Sequence, residues 1–282
     1  MPPHKEAADG EPLVVITAGP LSAALHHHFR HLNASWNGPL NLVVDVAAPS
    51  GQSTYHALKK DGFFTWPANK SQLHVEFRCD VNQHPFSGWL GAISLMNKLA
   101  MLGVDHVWCV EDDVMMPGTA PRKLWKSRFN RTADLVTVTS DRARPNWHWH
   151  DPKRCFLPEC RDGDLFRAQA MLNRVSARLI RAVHATHQRP KECAFFEASF
   201  PTVAHRHKWR VETWSNDTGA LGTIGISLGL RRQNPPGITQ CFVPGMSTGN
   251  LSDEMQVASR GLTRPSCPVD RVYHPAKMST WT

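Results

Sequence analysis

The residues best placed to do chemistry are the consecutive acids Glu111, Asp112 and Asp113, which close the apolar run His106-Val107-Trp108-Cys109-Val110 and are followed at once by Pro117 and Gly118. A buried strand that delivers acids to its C-terminal end is how an open α/β sheet brings ligand-holding groups to its functional edge. Adjacent carboxylates repel one another, and the repulsion is relieved by water or by a cation. Two readings follow. The acids form a solvated strand-to-loop turn in which Asp113 caps the next helix. Alternatively they hold Mg²⁺ or Mn²⁺, which takes one or two protein carboxylates and fills its remaining positions with diphosphate oxygens and water. The second reading accounts for the crowding of charge and guides the rest.

Other side chains offer themselves around that site. Thr17 and Gly19 end one apolar run and Asp45 ends another, so the crevice rule for open sheets puts them near a bound base and ribose; Asp45 reads equally well as a loop-capping acid. Lys98 lies in the helical segment before the acidic strand, where a cation could meet a base or a phosphate, although a lysine on a solvated helix face is commoner. Glu197 sits among Phe195, Phe196 and Phe200, where burial would raise its pKa towards that of a general base; the competing reading is a structural acid paired with Arg206 or a loop amide. Trp147, His148, Trp149 and His150 could stack on a sugar or simply anchor a loop. His26, His27 and His28 fall consecutively on a helix, cannot share one face, and read as solvated.

The elements that must position these groups alternate along the chain. Residues 13–19 and 40–46 read as buried strands, with a helix from the N-cap Ser22 through Leu32 between them. Residues 53–60 read as helix and 73–79 as strand. Trp89 to Leu102 repeat at helical spacing until Gly103, and the acidic strand follows. Residues 121–128 are helix-like and 133–139 strand-like. Residues 142–164 lose periodicity and read as a long functional loop. Residues 168–186 carry helical spacing, 194–204 a second helix, and 209–213 a short strand. Strands alternating with helices predict an α/β fold, a mainly parallel sheet flanked by helices, with ligands at the carboxyl ends of the strands.

The 282 residues, 41% hydrophobic and 20% charged, suit a globular protein, with residues 1–12 as a loose tail and 13–282 as a single domain. A net charge of +8 favours an anionic partner; the basic residues are scattered and not massed in a tract, which suits a phosphate-bearing small ligand as well as nucleic acid, and the expected partners are a nucleotide-bearing small molecule and its acceptor, with no nucleic acid. No apolar run reaches the ~20 residues of a membrane span, so membrane attachment would need an anchor absent from this chain. The seven cysteines show no zinc spacing, and only Cys155 and Cys160 are near neighbours, leaving a disulfide between them open. Sequons begin at Asn33, Asn69, Asn130, Asn216 and Asn250, which leans towards the secretory lumen, the Golgi included, with a cytoplasmic protein as the alternative.

With the acidic strand fourth in a nucleotide-binding-like half, the chain resembles glycosyltransferases of the GT-A fold, whose D-x-D motif occupies that position. Glu111-Asp112-Asp113 looks like a variant of that motif. Residues 194–202, Ala-Phe-Phe-Glu-Ala-Ser-Phe-Pro-Thr, are similar to an acidic segment near the acceptor site, and Val272-Tyr273-His274-Pro275-Ala276-Lys277 is similar to a terminal His-Pro-x-Lys element. The resemblance implies a nucleotide-sugar-binding half over residues 13–118 and an acceptor-binding half over 119–282. It implies Asp113 and His274 as ligands of Mn²⁺ or Mg²⁺, Asp112 beside them, Glu111 towards the ribose, Lys277 on a phosphate and Glu197 as base of an inverting transfer to a glycan or other hydroxyl acceptor. The first motif position is Glu instead of Asp, so the role of Glu111 stays open, and a surface histidine before a proline turn remains the competing reading of His274. Two other classes share such a sheet. Nucleotidyltransferases that build sugar nucleotides usually carry a Gly-rich, Lys/Arg-bearing loop after the first strand, which Gly19-Pro20-Leu21-Ser22 does not supply; a non-catalytic glycan-binding protein would lack turnover.

Overall fold

The computed structural model of the chain describes residues 10–78, 87–112, 114, 116, 118, 120–126, 132–138, 140–144, 147, 155–168, 172–189, 192–213, 226–228 and 272–274. Up to residue 60 the chain builds as the alternation predicts; beyond it the structure adds a strand over residues 65–68 that the sequence does not predict. β1 (Leu13–Thr17) is buried throughout. Helix α1 (Ala23–Ser35) starts at Ser22, whose hydroxyl accepts from the Leu25 amide at 3.1 Å, and its last turn gives way at Trp36 before Asn37-Gly38-Pro39. β2 (Leu40–Asp45), α2 (Gly51–Lys60) and β3 (Thr65–Ala68) follow. β3 contains Pro67, which an edge strand tolerates because it pairs on one side only.

The strand expected at 73–79 is instead a short helix, α3 (Lys70–Glu76). Asn69 decides it: its side chain accepts from the Ser71 amide at 3.0 Å, supplying a helix cap, and Leu73 is the one residue of α3 that buries fully. Helix α4 (Ser87–Met101) leads into β4 (His106–Glu111), then α5 (Ala120–Lys126) and β5 (Leu135–Thr137).

The span expected as one long loop is framed by a hairpin, β6 (Ser140–Arg142) against β7 (Phe166–Ala168), with helix α6 (Pro158–Asp162) inside it and Cys155 bonded to Cys160. The helix expected from 168 divides at Ser176 into β8 (Leu172–Ser176) and α7 (Ala177–His187). Leu172, Val175 and Leu179 fit helical spacing, yet the first part is a strand because it fills the gap between β4 and β5 with every residue buried. The Ser176 hydroxyl then caps α7. Helix α8 (Phe196–Arg206), β9 (Val211–Thr213), β10 (Ile226–Leu228) and β11 (Val272–His274) are the remaining elements among the described residues.

The central sheet has 7 strands in the order β3-β2-β1-β4-β8-β5-β9. It is mainly parallel, with β8 the reversed strand between β4 and β5. The fold is therefore α/β, a mostly parallel sheet flanked by helices. Alternate strand residues feed two cores: Val14, Ile16, Val43 and Cys109 pack under α4, α7 and α8, while Leu13, Val15, Val44, Trp108 and Val110 pack under α1 and α5. Each large apolar side chain taken wholly from water contributes about 1.5–3 kcal/mol, which fixes the layers. α4 lies so close on β3 that a Cβ at Gly91 would meet the Ala68 Cβ at 2.5 Å.

Residues 11 and 12, expected in a loose tail, are tied to the opposite end of the sheet. The Glu11 carboxylate takes a bidentate grip from the buried Arg174 at 2.6 and 2.8 Å and accepts from Trp108 Nε1 at 2.7 Å, its carbonyl accepts from Trp36 Nε1 at 2.9 Å, and the Pro12 carbonyl accepts from the Trp108 amide at 2.9 Å.

Candidate functional site

The register of the parallel strands brings the candidate groups to one edge. Ile16 faces Glu111 and Thr17 faces Val44, so Thr17, Asp45 and Glu111 all lie at the carboxyl ends of β1, β2 and β4. The Asp112 amide continues the ladder by donating to the Ile16 carbonyl at 3.0 Å. Strand alternation sorts the side chains: Asp45 and Glu111 follow Val43 and Cys109 onto the α4 face, and Thr17 follows Val15 onto the α1 face. Glu111 and Asp112 are half-buried, while Thr17 and Asp45 are buried. One Asp45 oxygen accepts from the Ala47 amide at 3.0 Å, so the loop-capping reading of Asp45 holds at that atom. Thr17 Oγ1 is buried with no hydrogen-bond partner among the described residues, an atom that a bound group at this edge would satisfy.

Two helices start at the same edge, because each precedes a strand that runs parallel to its neighbour. Gly88 in the first turn of α4 stands against Ile16 and Asp45, where an added Cβ would come within 3.0 Å of the Ile16 side chain and 3.6 Å of the Asp45 Cβ. The next residue, Trp89, stacks on Phe196 at the start of α8. Glu197 follows Phe196 in the first turn of α8, half-buried, where helix polarity favours an acid. Arg167 of β7 bonds Asp141 at 2.7 and 2.9 Å, which raises its pKa, with a smaller contribution from the charge of Glu197. Arg206, the partner that the sequence suggests for Glu197, is instead bidentate to Glu159.

No family model matches the chain, and no curated protein matches it. Among solved structures, the chain is similar to the apo form of mouse xyloside xylosyltransferase 1, with a TM-score of 0.39 and 12% identity over 76% of this chain and 91% of that one. The chemistry of the site follows from the residues at the edge.

Those residues offer hard oxygen donors. Glu111 and Asp112 are adjacent carboxylates at an open strand end, and among the described residues no group of three or more His, Cys, Asp or Glu is close enough to hold an ion alone. A donor set of that kind fits Mg²⁺ or Mn²⁺ completed by phosphate oxygens and water. Of the expected ligands, Asp113 lies outside the described residues and His274 is described as backbone in β11. Lys277 and Trp149 also lie outside the described residues. Lys98 is not brought to the edge: it lies ten residues beyond Gly88, about 15 Å along the helix, with its Nζ over the Trp66 ring at 4.1 Å. Trp147 packs against the small core of the insert, among Ala143, Cys155, Leu157 and Ala198, which is the anchoring alternative.

Burial, with the charge of Glu111 beside it, pushes the Cys109 thiol up and keeps it inert behind the acids. Sequence reasoning misses the histidines. His28, expected to be solvated, is 2% exposed, and its Nε2 lies 3.1 Å from the carbonyl of Val114 in the loop that follows the acids. Burial, then the neighbouring His31 and His27, lower its pKa to about 3 against an opposing bond to Val114. Burial likewise lowers His31, one turn further on, opposed chiefly by the backbone of Met116. The spacing Leu25, His28, Phe29, Leu32 places His28 in the apolar stripe of α1, and that is the signal that could have found it.

Proposed function

We propose that the protein is a metal-dependent glycosyltransferase that moves a sugar from a nucleoside-diphosphate donor to a hydroxyl group of a glycan or other acceptor. The observation that carries this reading is the acid-ended β4 lying directly beside β1, with the buried, unsatisfied Thr17 hydroxyl at the same edge. The resemblance of Glu111-Asp112-Asp113 to a D-x-D motif supports it.

In this reading Asp113, with Asp112 beside it and His274 from the terminal element, would hold Mn²⁺ or Mg²⁺. When bound, that ion offsets the negative charge that develops on a departing diphosphate. Asp45 and Glu111 on the α4 face, and Thr17 at the same edge on the α1 face, are the proposed contacts to the base and ribose. Glu197 accepts the proton of the acceptor hydroxyl, whose oxygen forms the new bond to the anomeric carbon as the carbon–oxygen bond to the diphosphate breaks and its electron pair leaves with the phosphate; a single displacement of this kind inverts the anomeric centre. The insert between β6 and β7, which stands beside Glu197 through Arg167, is the proposed acceptor platform.

The secretory lumen is the proposed compartment. Cys155–Cys160 is a disulfide and Cys193 is also disulfide-bonded, and structural disulfides persist in oxidising compartments. Among the described residues no helix is long and apolar enough to cross a membrane.

Hydrolysis of a panel of nucleotide sugars, followed with and without Mn²⁺, tests the function. One donor should be turned over in a manganese-dependent way; no turnover of any donor, together with tight binding of a glycan, would replace the transferase by a binding protein.

A further inference from the structure

The loop that leaves β4 is held from below by α1. Val114 and Met116 are buried among Leu25, Phe29 and Leu32, the apolar stripe of that helix. His28 lies in the same stripe. Its partner at 3.1 Å is a carbonyl, which only accepts, so Nε2 carries the proton and donates. One turn along, His31 lies against the backbone of Met116 and Gly118. From above, the Asp112 amide is bonded to Ile16 and the Val114 amide to the Glu111 carbonyl at 3.1 Å. The described residues before and after position 113 are thus tied, Asp112 to β1 through its amide and Val114 to α1 through its carbonyl.

An aliphatic or aromatic side chain at position 28 would serve the packing of α1 equally well. What an imidazole adds is one directed N–H, aimed at the loop that carries the acids and at nothing else in the stripe. We propose that His28, supported by His31, is a positioning residue for the acidic loop, acting on the metal and diphosphate site through the Val114 peptide. The proposal rests on the glycosyltransferase reading. The imidazole touches no reacting atom itself; it sets where the acids that do so can stand, in the way that groups behind metal ligands orient those ligands.

The test compares full-length wild-type, His28→Phe and His28→Gln proteins. Manganese alone is titrated by electron paramagnetic resonance, and amide hydrogen exchange of residues 112–118 is followed without metal, with the melting temperature of each variant alongside. His28→Phe keeps an apolar group in the stripe but removes the donor, and His28→Gln returns an N–H at similar reach. The expectation is a manganese affinity weaker by ~10–100-fold in His28→Phe, faster exchange confined to residues 112–118, and recovery of most of both in His28→Gln. If His28→Phe does not fold, His28→Leu takes its place in the comparison. Unchanged manganese affinity in a folded donor-less variant would overturn the role, as would a His28→Gln protein no better than His28→Phe at equal stability. Wild-type protein that takes up no manganese would overturn the metal reading of the site and this role with it, a result separable from the others because it appears before any substitution is made.

Discussion

At the scale of single residues, Glu197 is the acid whose role is most exposed to test. It stands in the first turn of α8 beside the Trp89–Phe196 stack and opposite Arg167, while Arg206 is engaged by Glu159. Glu197→Gln keeps the shape of the side chain and abolishes its basicity. Removal of a general base costs ~10²–10⁴-fold in rate, so kcat should fall by that much with donor affinity and melting temperature little changed; sugar transfer at a normal rate would exclude Glu197 as the base. His28 gives a second residue-scale expectation. Its folded pKa of about 3 lies below the unfolded value of 6.5, so the unfolded chain takes up the proton first. The contribution is therefore complete above about pH 6.5 and is lost as the pH falls towards 3. Urea unfolding of His28→Gln across that range should show an acid slope shallower than wild type by up to about 1.4 kcal/mol per pH unit; equal slopes would mean that the imidazole is not kept neutral. The two ends of the site also differ in how well the sequence shows them. The acids at the end of β4 are legible because a strand-length apolar run that stops abruptly at three charges marks the point where the chain leaves the core for an open edge. His28 is legible only against Leu25 and Phe29, whose spacing it shares; beside His26 and His27 it looks like part of a solvated run.

At the scale of elements, the sequence misleads where a short strand and a helix share the same apolar spacing. β8 is five residues long, too short for alternation to outvote the helical repeat that runs on into α7, and its identity comes from partners far away in the chain. α3 misleads for the opposite reason: its cap, Asn69, is local, but the apolar residues around it suggest a strand. Arg174 of β8 carries a consequence of this long-range placement. A buried guanidinium would discourage a strand at that position, and it is accommodated because Glu11 reaches it from 163 residues away. Removing one partner of a buried pair leaves the other charge uncompensated, at a cost of about 3–5 kcal/mol in the general case. Glu11 keeps some contact with water, so Glu11→Ala should cost about 3 kcal/mol, nearer the lower end. The urea midpoint should fall accordingly while donor affinity in the folded protein stays unchanged, because the Glu11 cluster lies at the end of the sheet away from Thr17 and Glu111. A variant that bound donor more weakly at full stability would mean that the two ends of the sheet are coupled.

At the scale of the whole molecule, the compartment links the disulfides to the sequons, and Asn69 allows the link to be tested cleanly. Asn33 is exposed on α1 and Asn69 is half-exposed before α3, so both amides can be reached on the folded surface. The Asn69 side chain has two ends with different duties: Oδ1 caps α3 by accepting from the Ser71 amide and hydroxyl, and Nδ2 is the atom a glycan would modify. A glycan on Nδ2 therefore leaves the cap in place. Asn69→Asp keeps the capping oxygen and destroys the sequon, whereas Asn69→Gln destroys the sequon and moves the oxygen away from the Ser71 amide. Protein made through a secretory pathway should lose mass on treatment with an amidase that cleaves N-linked glycans, and Asn69→Asp should lack one glycan at an unchanged melting temperature. Asn69→Gln should lack the same glycan and be less stable by about 1 kcal/mol, the usual worth of a helix cap. If wild-type and Asn69→Asp proteins carry the same mass before and after the amidase, position 69 is not modified; if no sequon in the wild-type chain carries a glycan, the case for the lumen rests on the disulfides alone, and the cytoplasmic alternative regains its place.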